Sequence, residues 1–381
     1  MKVMFIVQGE GRGHMTQALA LEQILSNAGH CVSSTVIGTS NRREIPAFFK
    51  QKTSAELFPV ESPNFYYDKN SKSINIWKTV VINLLRLPLY LIELARINRA
   101  VKAHRPEVII NFYDVLGGFY FLLFQPKVRR LCIAHQYLAE HVEFPFADGF
   151  STQKWAYLIN NKFTSFNVHK KIALSFRDLR SNDPKLSIVP PLLRSEVLKL
   201  SPQNGDYVLA YVVNKGYGEE IIKWHSRNKK IKLHCFWDNH EYPDEWSPNP
   251  NLTFHHINDQ KFLSFMSGCL GYASTAGFES ICEAMYLGKP VLMVPVKGQY
   301  EQACNAEDAL LAQAGIKARK FNIGLLLNYI TKKEHSNTQY RDWLNGYEQI
   351  FVKEVEQYEP VNYGVEKRSL LFSLLPSISN K

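Results

Sequence analysis

Residues 277–305 read GFESICEAMYLGKPVLMVPVKGQYEQACN and gather side chains suited to holding a small polar ligand. Gly277 opens a predicted helix that carries Glu279 and Glu283. A glycine-proline turn follows at Gly288–Pro290, then an apolar strand, Val291–Val296, and a polar stretch, Gly298–Asn305, expected to be a loop. A helix N-terminus attracts an anion, because its first N–H groups lack partners inside the helix. A carboxylate can accept from two neighbouring hydroxyls, and Glu301, Gln302 and Asn305 add donors and acceptors for a sugar ring. Together they predict a pocket for a phosphorylated, hydroxyl-rich ligand.

A second group lies at the N-terminus. Gly9, Gly11 and Gly13 separate a strand from a helix, so a ligand could approach the backbone and meet its N–H groups. Their spacing is G-x-G-x-G rather than the dinucleotide G-x-G-x-x-G, and no acidic residue ends the second strand, Cys31–Ile37; both facts weigh against a nicotinamide cofactor. Arg12 and His14 flank the third glycine. Histidine can take a proton from a hydroxyl near neutral pH, or simply contact an anion. Asp114 follows the strand Glu107–Phe112 at the same sheet edge; it either orients His14, as the carboxylate of a triad does, or caps the next helix. His135, at another strand end, is a further candidate for the cleft.

In the second half, Asn214–Gly218 is another strand-to-helix turn, with Lys215 and Gly216, but without the spacing of a P-loop. Ile257 follows a strand and could offer backbone groups to a base. Taken singly, each of these turns is equally well read as an ordinary surface loop. No histidine and carboxylate group has metal-ligand spacing, and the adjacent His255 and His256 would point to opposite faces of a strand, so neither metal nor cofactor is expected.

The elements that must carry these groups alternate between strand and helix. This pattern predicts an α/β protein with parallel, doubly wound sheets. A length of 381 residues exceeds what one core usually supports, and Pro190-Pro191 with the polar 201–206 marks a boundary. Expected units are 1–190, 191–335 and a helical tail, 336–381, packing back on the first unit. Six cysteines form no CxxC pair and read as reduced and mostly buried. The N-terminus runs straight into a strand with no signal peptide, so a cytoplasmic location is expected.

Charge is split unevenly. Residues 1–190 hold 24 Lys+Arg against 14 Asp+Glu, whereas residues 191–381 hold 21 of each. Segment 69–105 carries eight basic residues and one acidic, Glu93, among Trp77, Val80, Leu84, Leu85, Leu87, Leu91 and Ile92. Arg86, Pro88 and Glu93 interrupt it, so it is a poor membrane span, and its apolar company argues against nucleic acid. It fits a basic amphipathic helix on an anionic bilayer, at the inner face of the membrane, or an ordinary sheet-packing helix kinked at Pro88.

Two Rossmann-like halves, the GxGRGH loop and EAMYLGKPVLMVPVKGQYEQACNA resemble GT-B-fold glycosyltransferases over roughly residues 1–330, with the lipid II-forming N-acetylglucosaminyltransferases as the nearest type. The resemblance implies two domains facing a cleft, with an acceptor, lipid-linked as in the lipid II-forming type, in the first and a nucleotide-sugar donor, UDP-linked, in the second. It implies that Glu283, five residues before Gly288, binds the donor ribose, while Glu279 reads as a helix-end charge. Glu301 and Gln302 correspond to paired polar contacts to the donor sugar, Ala276 and Gly277 to the phosphate-facing helix start, Ile257 to a backbone contact with uracil, and His14 to a base or phosphate contact. The first loop departs from the GGTGGH of the lipid II-forming enzymes by carrying Glu10 and Arg12, which leaves the acceptor open. Inverting, metal-independent sugar transfer is the implied reaction. A 2-epimerase of the same fold or a non-catalytic nucleotide-sugar binder are the alternatives.

Overall fold

In the computed structural model all residues are described except 40–44, 65–75, 150, 213–214, 333–337 and 358–381. Short apolar runs form the strands, as expected where both faces of a parallel sheet are covered. The N-terminal half contributes β1 (Lys2–Gln8), β2 (Cys31–Thr39), β3 (Glu56–Glu61), β4 (Val108–Phe112), β5 (Arg129–Ala134), β6 (Lys170–Leu174) and β7 (Leu186–Val189). They pair in parallel in the order β3-β2-β1-β4-β5-β6-β7.

The C-terminal half contributes β8 (Tyr207–Val212), β9 (Lys232–Trp237), β10 (Glu245–Asn249), β11 (Leu252–His256), β12 (Gly271–Ser274), β13 (Val291–Met293) and β14 (Gly315–Lys317). Their order is β10-β11-β9-β8-β12-β13-β14, parallel except for β10 against β11. This is the α/β, doubly wound architecture the alternating pattern predicts.

Strand order reverses between β1 and β4 in one sheet and between β8 and β12 in the other. At such a point the loops leaving the carboxyl ends diverge and open a crevice. β1 leads into Gly9–His14, β4 into Tyr113–Asp114, and β12 into Ala276–Gly277. The topology alone therefore brings the candidate residues of each half to one edge.

Helices cover both faces of the first sheet. Helix Arg12–Asn27 lays Met15, Ala18, Leu21 and Leu25 on one face. Helix Leu87–His104 lays Tyr90, Leu94, Ile97 and Val101 on the other, against Met4, Ile6 and Ile109. Its Leu87, Leu91 and Ile92 face outward, beside Trp77, Leu84 and Leu85 of helix Ile76–Leu85. The described part of segment 69–105 thus forms two helices rather than one kinked helix, because Pro88 cannot donate within a continuing helix and begins a new one.

One further expectation needs correction. Residues 298–305, read as a loop, enter a helix, Tyr300–Leu311, so Glu301, Gln302 and Asn305 stand on its first turns. Gly298 and Gln299 supply the turn before it, and nothing polar inside it breaks a helix. In the tail, helix Tyr347–Glu356 packs on the first half: Arg129 Nη1 donates to the Val355 carbonyl at 2.7 Å and Ser187 Oγ to Glu354 at 2.8 Å.

Candidate active site

The Gly9 N–H donates to the Gly38 carbonyl at 2.9 Å, and a Cβ at Gly9 would collide with that oxygen, so the loop presses on β2 at its start. Gly11 is the N-cap of helix Arg12–Asn27 with no side chain capping it and open space beside it. Gly277 is the N-cap of helix Phe278–Tyr286 in the same condition. Two helix starts without capping side chains are therefore present, one in each half.

The halves meet at these starts. A Cβ at Gly13 would run into Glu279 Oε2, so glycine here leaves that carboxylate free to reach across between the two helices. Gln17, one turn after His14, donates its Nε2 to Glu279 Oε1. Gln136 Nε2 donates to Glu301 Oε1 at 2.9 Å. Arg12, expected in an acceptor or phosphate loop, pairs with Asp259 at 2.6 Å and lies over the Phe48 ring.

His14 is buried and stacks on Tyr113, with ring centroids 5.4 Å apart. Its Nδ1 lies 3.3 Å from Gln17 Oε1. An amide oxygen only accepts, so Nδ1 carries the proton and Nε2 keeps its lone pair. Burial lowers the His14 pKa to about 4, leaving the ring neutral and able to take a proton. Tyr113 sits at φ 60°, a backbone region that costs a residue with a side chain some strain and is concentrated at functional sites.

Asp114 does not orient His14 in this geometry. Its Oδ1 accepts from the Leu116 N–H at 2.8 Å, the Gly117 N–H at 3.3 Å and Ser62 Oγ at 3.1 Å, capping helix Val115–Phe124. Burial raises its pKa to about 6, against the pull of those donors. His135 is also placed away from open space, between Phe176 and Phe278, and stacks on Phe278 with centroids 4.0 Å apart. Its Nδ1 donates to the Leu174 carbonyl at 2.8 Å, and burial lowers its pKa. It supports the start of the Gly277 helix from below.

Glu283 is buried and gripped by Arg194, Nε to Oε1 at 2.5 Å and Nη2 to Oε2 at 2.6 Å. Burial works against the Arg194 charge, and the Glu283 carboxylate more than offsets it, holding the guanidinium firmly protonated. Glu279 and Glu301 are each raised to about 7, first by burial; the Glu279 charge adds to the effect on Glu301. Gln302 Oε1 accepts from the Val296 N–H at 2.9 Å, holding the loop after β13, and Asn305 Nδ2 donates to the Ala276 carbonyl at 3.1 Å, holding the loop before the Gly277 helix. Ile257 lies just beyond β11, and Gly216 lies in the first turn of helix Lys215–His225. Asn214 lies outside the described residues.

The structure thus joins Gly13 and His14 to Glu279, through a Gln17–Glu279 hydrogen bond that spans 262 positions of the chain, and Gln136 to Glu301. Sequence reading overlooked Gln17, Gln136, Tyr113 and Arg194, and set Glu279 aside. Gln17 stands three residues from His14, a helical-face neighbour, and could have been found from that spacing. Nothing local marks Arg194. A groove of about 680 Å³ lined by Arg177, Lys289, Tyr340 and Trp343 lies apart, at the far end of helix Phe278–Tyr286.

Several solved structures share this fold. The glycosyltransferase of kitacinnamycin superposes with a TM-score of 0.58 at 14% identity, over 92% of this chain and 94% of that one. Acinetobacter baumannii MurG gives 0.57 at 13% identity, over 94% and 99%. The spinosyn rhamnosyltransferase SpnG, complexed with thymidine diphosphate, gives 0.54 at 12% identity, over 93% and 95%. No curated protein matches in sequence. The GT-B likeness carries the two-sheet fold, and the family model described as glycosyl transferase family 1 matches residues 1–333, so the chain is a glycosyltransferase and belongs to that family.

Proposed function

We propose that this glycosyltransferase moves a sugar from a nucleoside diphosphate donor, UDP-linked, to a hydroxyl acceptor, inverting the anomeric carbon and using no metal ion. One observation carries the reading: His14, with a free Nε2 lone pair, is linked through Gln17 to Glu279, in the first turn of the helix of the other half whose uncapped start is Gly277.

The donor diphosphate would lie at the Gly277 helix start, where unpaired N–H groups and the helix dipole favour an anion. Glu283 would accept from the ribose hydroxyls; after Arg194 each carboxylate oxygen keeps a further lone-pair direction. Glu301, Gln302 and Asn305 would line the sugar, with Ala276 behind it, and Ile257 and the Asn214–Gly216 turn would flank the nucleoside. The acceptor oxygen bonds to the anomeric carbon as that carbon's bond to the diphosphate oxygen breaks. The electron pair leaves with the nucleoside diphosphate, and His14 Nε2 takes the acceptor proton. Attack from the face opposite the leaving group inverts the centre. Closure of residues 1–190 on 191–335 would exclude water.

The acceptor surface is proposed to be an anionic bilayer face. Trp77 is 78% exposed and Leu85 77%, with Leu84, Leu87, Leu91 and Ile92 beside them. Lys78, Arg86, Arg96, Arg99 and Lys102 accompany them, whereas Lys69 and Lys72 of the same segment lie outside the described residues. Apolar side chains ringed by cations suit an anionic lipid surface. Among the described residues no helix is long and apolar enough to cross a membrane.

Incubation with UDP-hexoses and a panel of lipid and soluble hydroxyl acceptors tests the reading by mass spectrometry. A product of acceptor plus one hexose, with release of UDP, is expected. Conversion of UDP-GlcNAc to UDP-ManNAc without an acceptor product, or donor binding without turnover, would replace transfer by the epimerase or the binding reading.

A further inference from the structure

Resting on the reading of His14 as the proton acceptor, we propose that Gln17 and Glu279 are its positioning residues, forming a relay across the two halves that assembles the base only when they are closed together.

The directions of the hydrogen bonds carry the inference. Glu279 Oε1 accepts from Gln17 Nε2, which fixes which end of the Gln17 amide faces the C-terminal half. The other end, Oε1, then faces His14 Nδ1 at 3.3 Å, and it can only accept. His14 is therefore held with its proton on Nδ1 and its lone pair on Nε2, the arrangement a general base needs. A triad carboxylate does the same directly. Here Asp114, the nearest alternative at that sheet edge, is committed to its own helix through Leu116, Gly117 and Ser62.

Position supports the assignment. His14 and Gln17 lie one turn apart on helix Arg12–Asn27, and both are buried. Glu279 lies on helix Phe278–Tyr286, whose start is the proposed diphosphate site. Gly13 leaves the room in which Glu279 reaches across, since a Cβ there would strike its Oε2. Opening the cleft separates Gln17 from Glu279 and frees the amide to turn. In the open protein His14 loses its fixed tautomer, and proton abstraction is tied to closure over a bound donor.

The test joins imidazole ¹⁵N NMR with kinetics. In the wild-type protein the His14 ring is expected as the Nδ1–H tautomer, at a pH above its titration. Q17A and E279A are expected to give a mixture of tautomers. E279Q keeps an acceptor oxygen for Gln17 Nε2 and is expected to retain the wild-type signal. Turnover should fall roughly 10- to 100-fold in Q17A and E279A, with donor Kd changed less than about threefold, and E279Q should recover most of it. An unchanged tautomer in Q17A, or E279Q as impaired as E279A, would overturn the relay. If no sugar transfer is found with any donor, the NMR result still decides the relay, while the proposed function fails separately.

Discussion

Arg194 and Glu283 grip each other at two points, 2.5 and 2.6 Å, although 89 residues separate them in the chain. The pair joins the segment leaving the first sheet to the carboxylate proposed to hold the donor ribose. Both partners are largely buried. Removing the cation leaves a buried, unpaired carboxylate, which costs more than the pair itself contributes. R194A is therefore expected to lose about 3–5 kcal/mol of unfolding free energy in urea, and to weaken nucleotide binding at the same time. R194K cannot make the two-point contact and should fall between R194A and wild type. Unchanged stability in R194A would contradict the burial of the pair.

His14 should act as a base well below neutrality. Burial lowers its pKa to about 4, so it stays neutral as pH falls and loses its lone pair only near that value. H14A is expected to lower kcat by about 10²- to 10⁴-fold while leaving nucleotide affinity near wild type. The acid limb of kcat/KM in the wild-type enzyme should lie below pH 6. A limb at pH 6.5 or above that H14A removes would mean a solvated imidazole, not the buried one seen here.

The two raised carboxyls make a stability prediction with a definite sign. Glu279 and Glu301 move from the ordinary value of 4.5 to about 7 in the folded chain, mainly through burial. The folded state then holds their protons more tightly than the unfolded one. Their contribution is fully present below pH 4.5 and is lost as pH rises through 7. E279Q is neutral at every pH, so its Tm should gain on wild type between about pH 5 and pH 8. A Tm difference that is flat or shrinks over that range would show that Glu279 is not held in its neutral form.

The exposed apolar face offers a test independent of catalysis. Trp77, Leu84 and Leu85 lie largely in solvent, so replacing all three with serine should hardly change Tm. Flotation with anionic vesicles should fall about tenfold or more, and neutral vesicles should recruit neither protein. Equal recovery of wild type and variant on anionic vesicles would remove this face from the account.

Local order was legible in the sequence because it rests on local causes. The apolar runs announced the parallel strands, and the glycine-proline turn at Gly288–Pro290 marked the end of the helix that carries Glu283. Asp114 read equally as an orienting carboxylate or a helix cap; the geometry shows capping, since its oxygen meets the Leu116 and Gly117 N–H groups first. The helix at Tyr300 was missed because Gly298 and a run of polar side chains imitate a loop. Arg194, Gln17 and Gln136 gain their importance from partners 89 to 262 positions away, contacts that exist only once the two sheets meet.

The central claim is that the C-terminal half holds a nucleoside diphosphate through Glu283 and the Gly277 helix start. Thermal shifts with UDP, GDP, dTDP and ADP, measured on wild type and E283Q, test it most directly. Binding to the native state raises its apparent stability, by about 2.7 kcal/mol at a hundredfold excess over Kd. The account predicts a clear rise in Tm for wild type, largest with UDP, that E283Q largely loses. No shift with any of the four nucleotides, or an equal shift in E283Q, would contradict it.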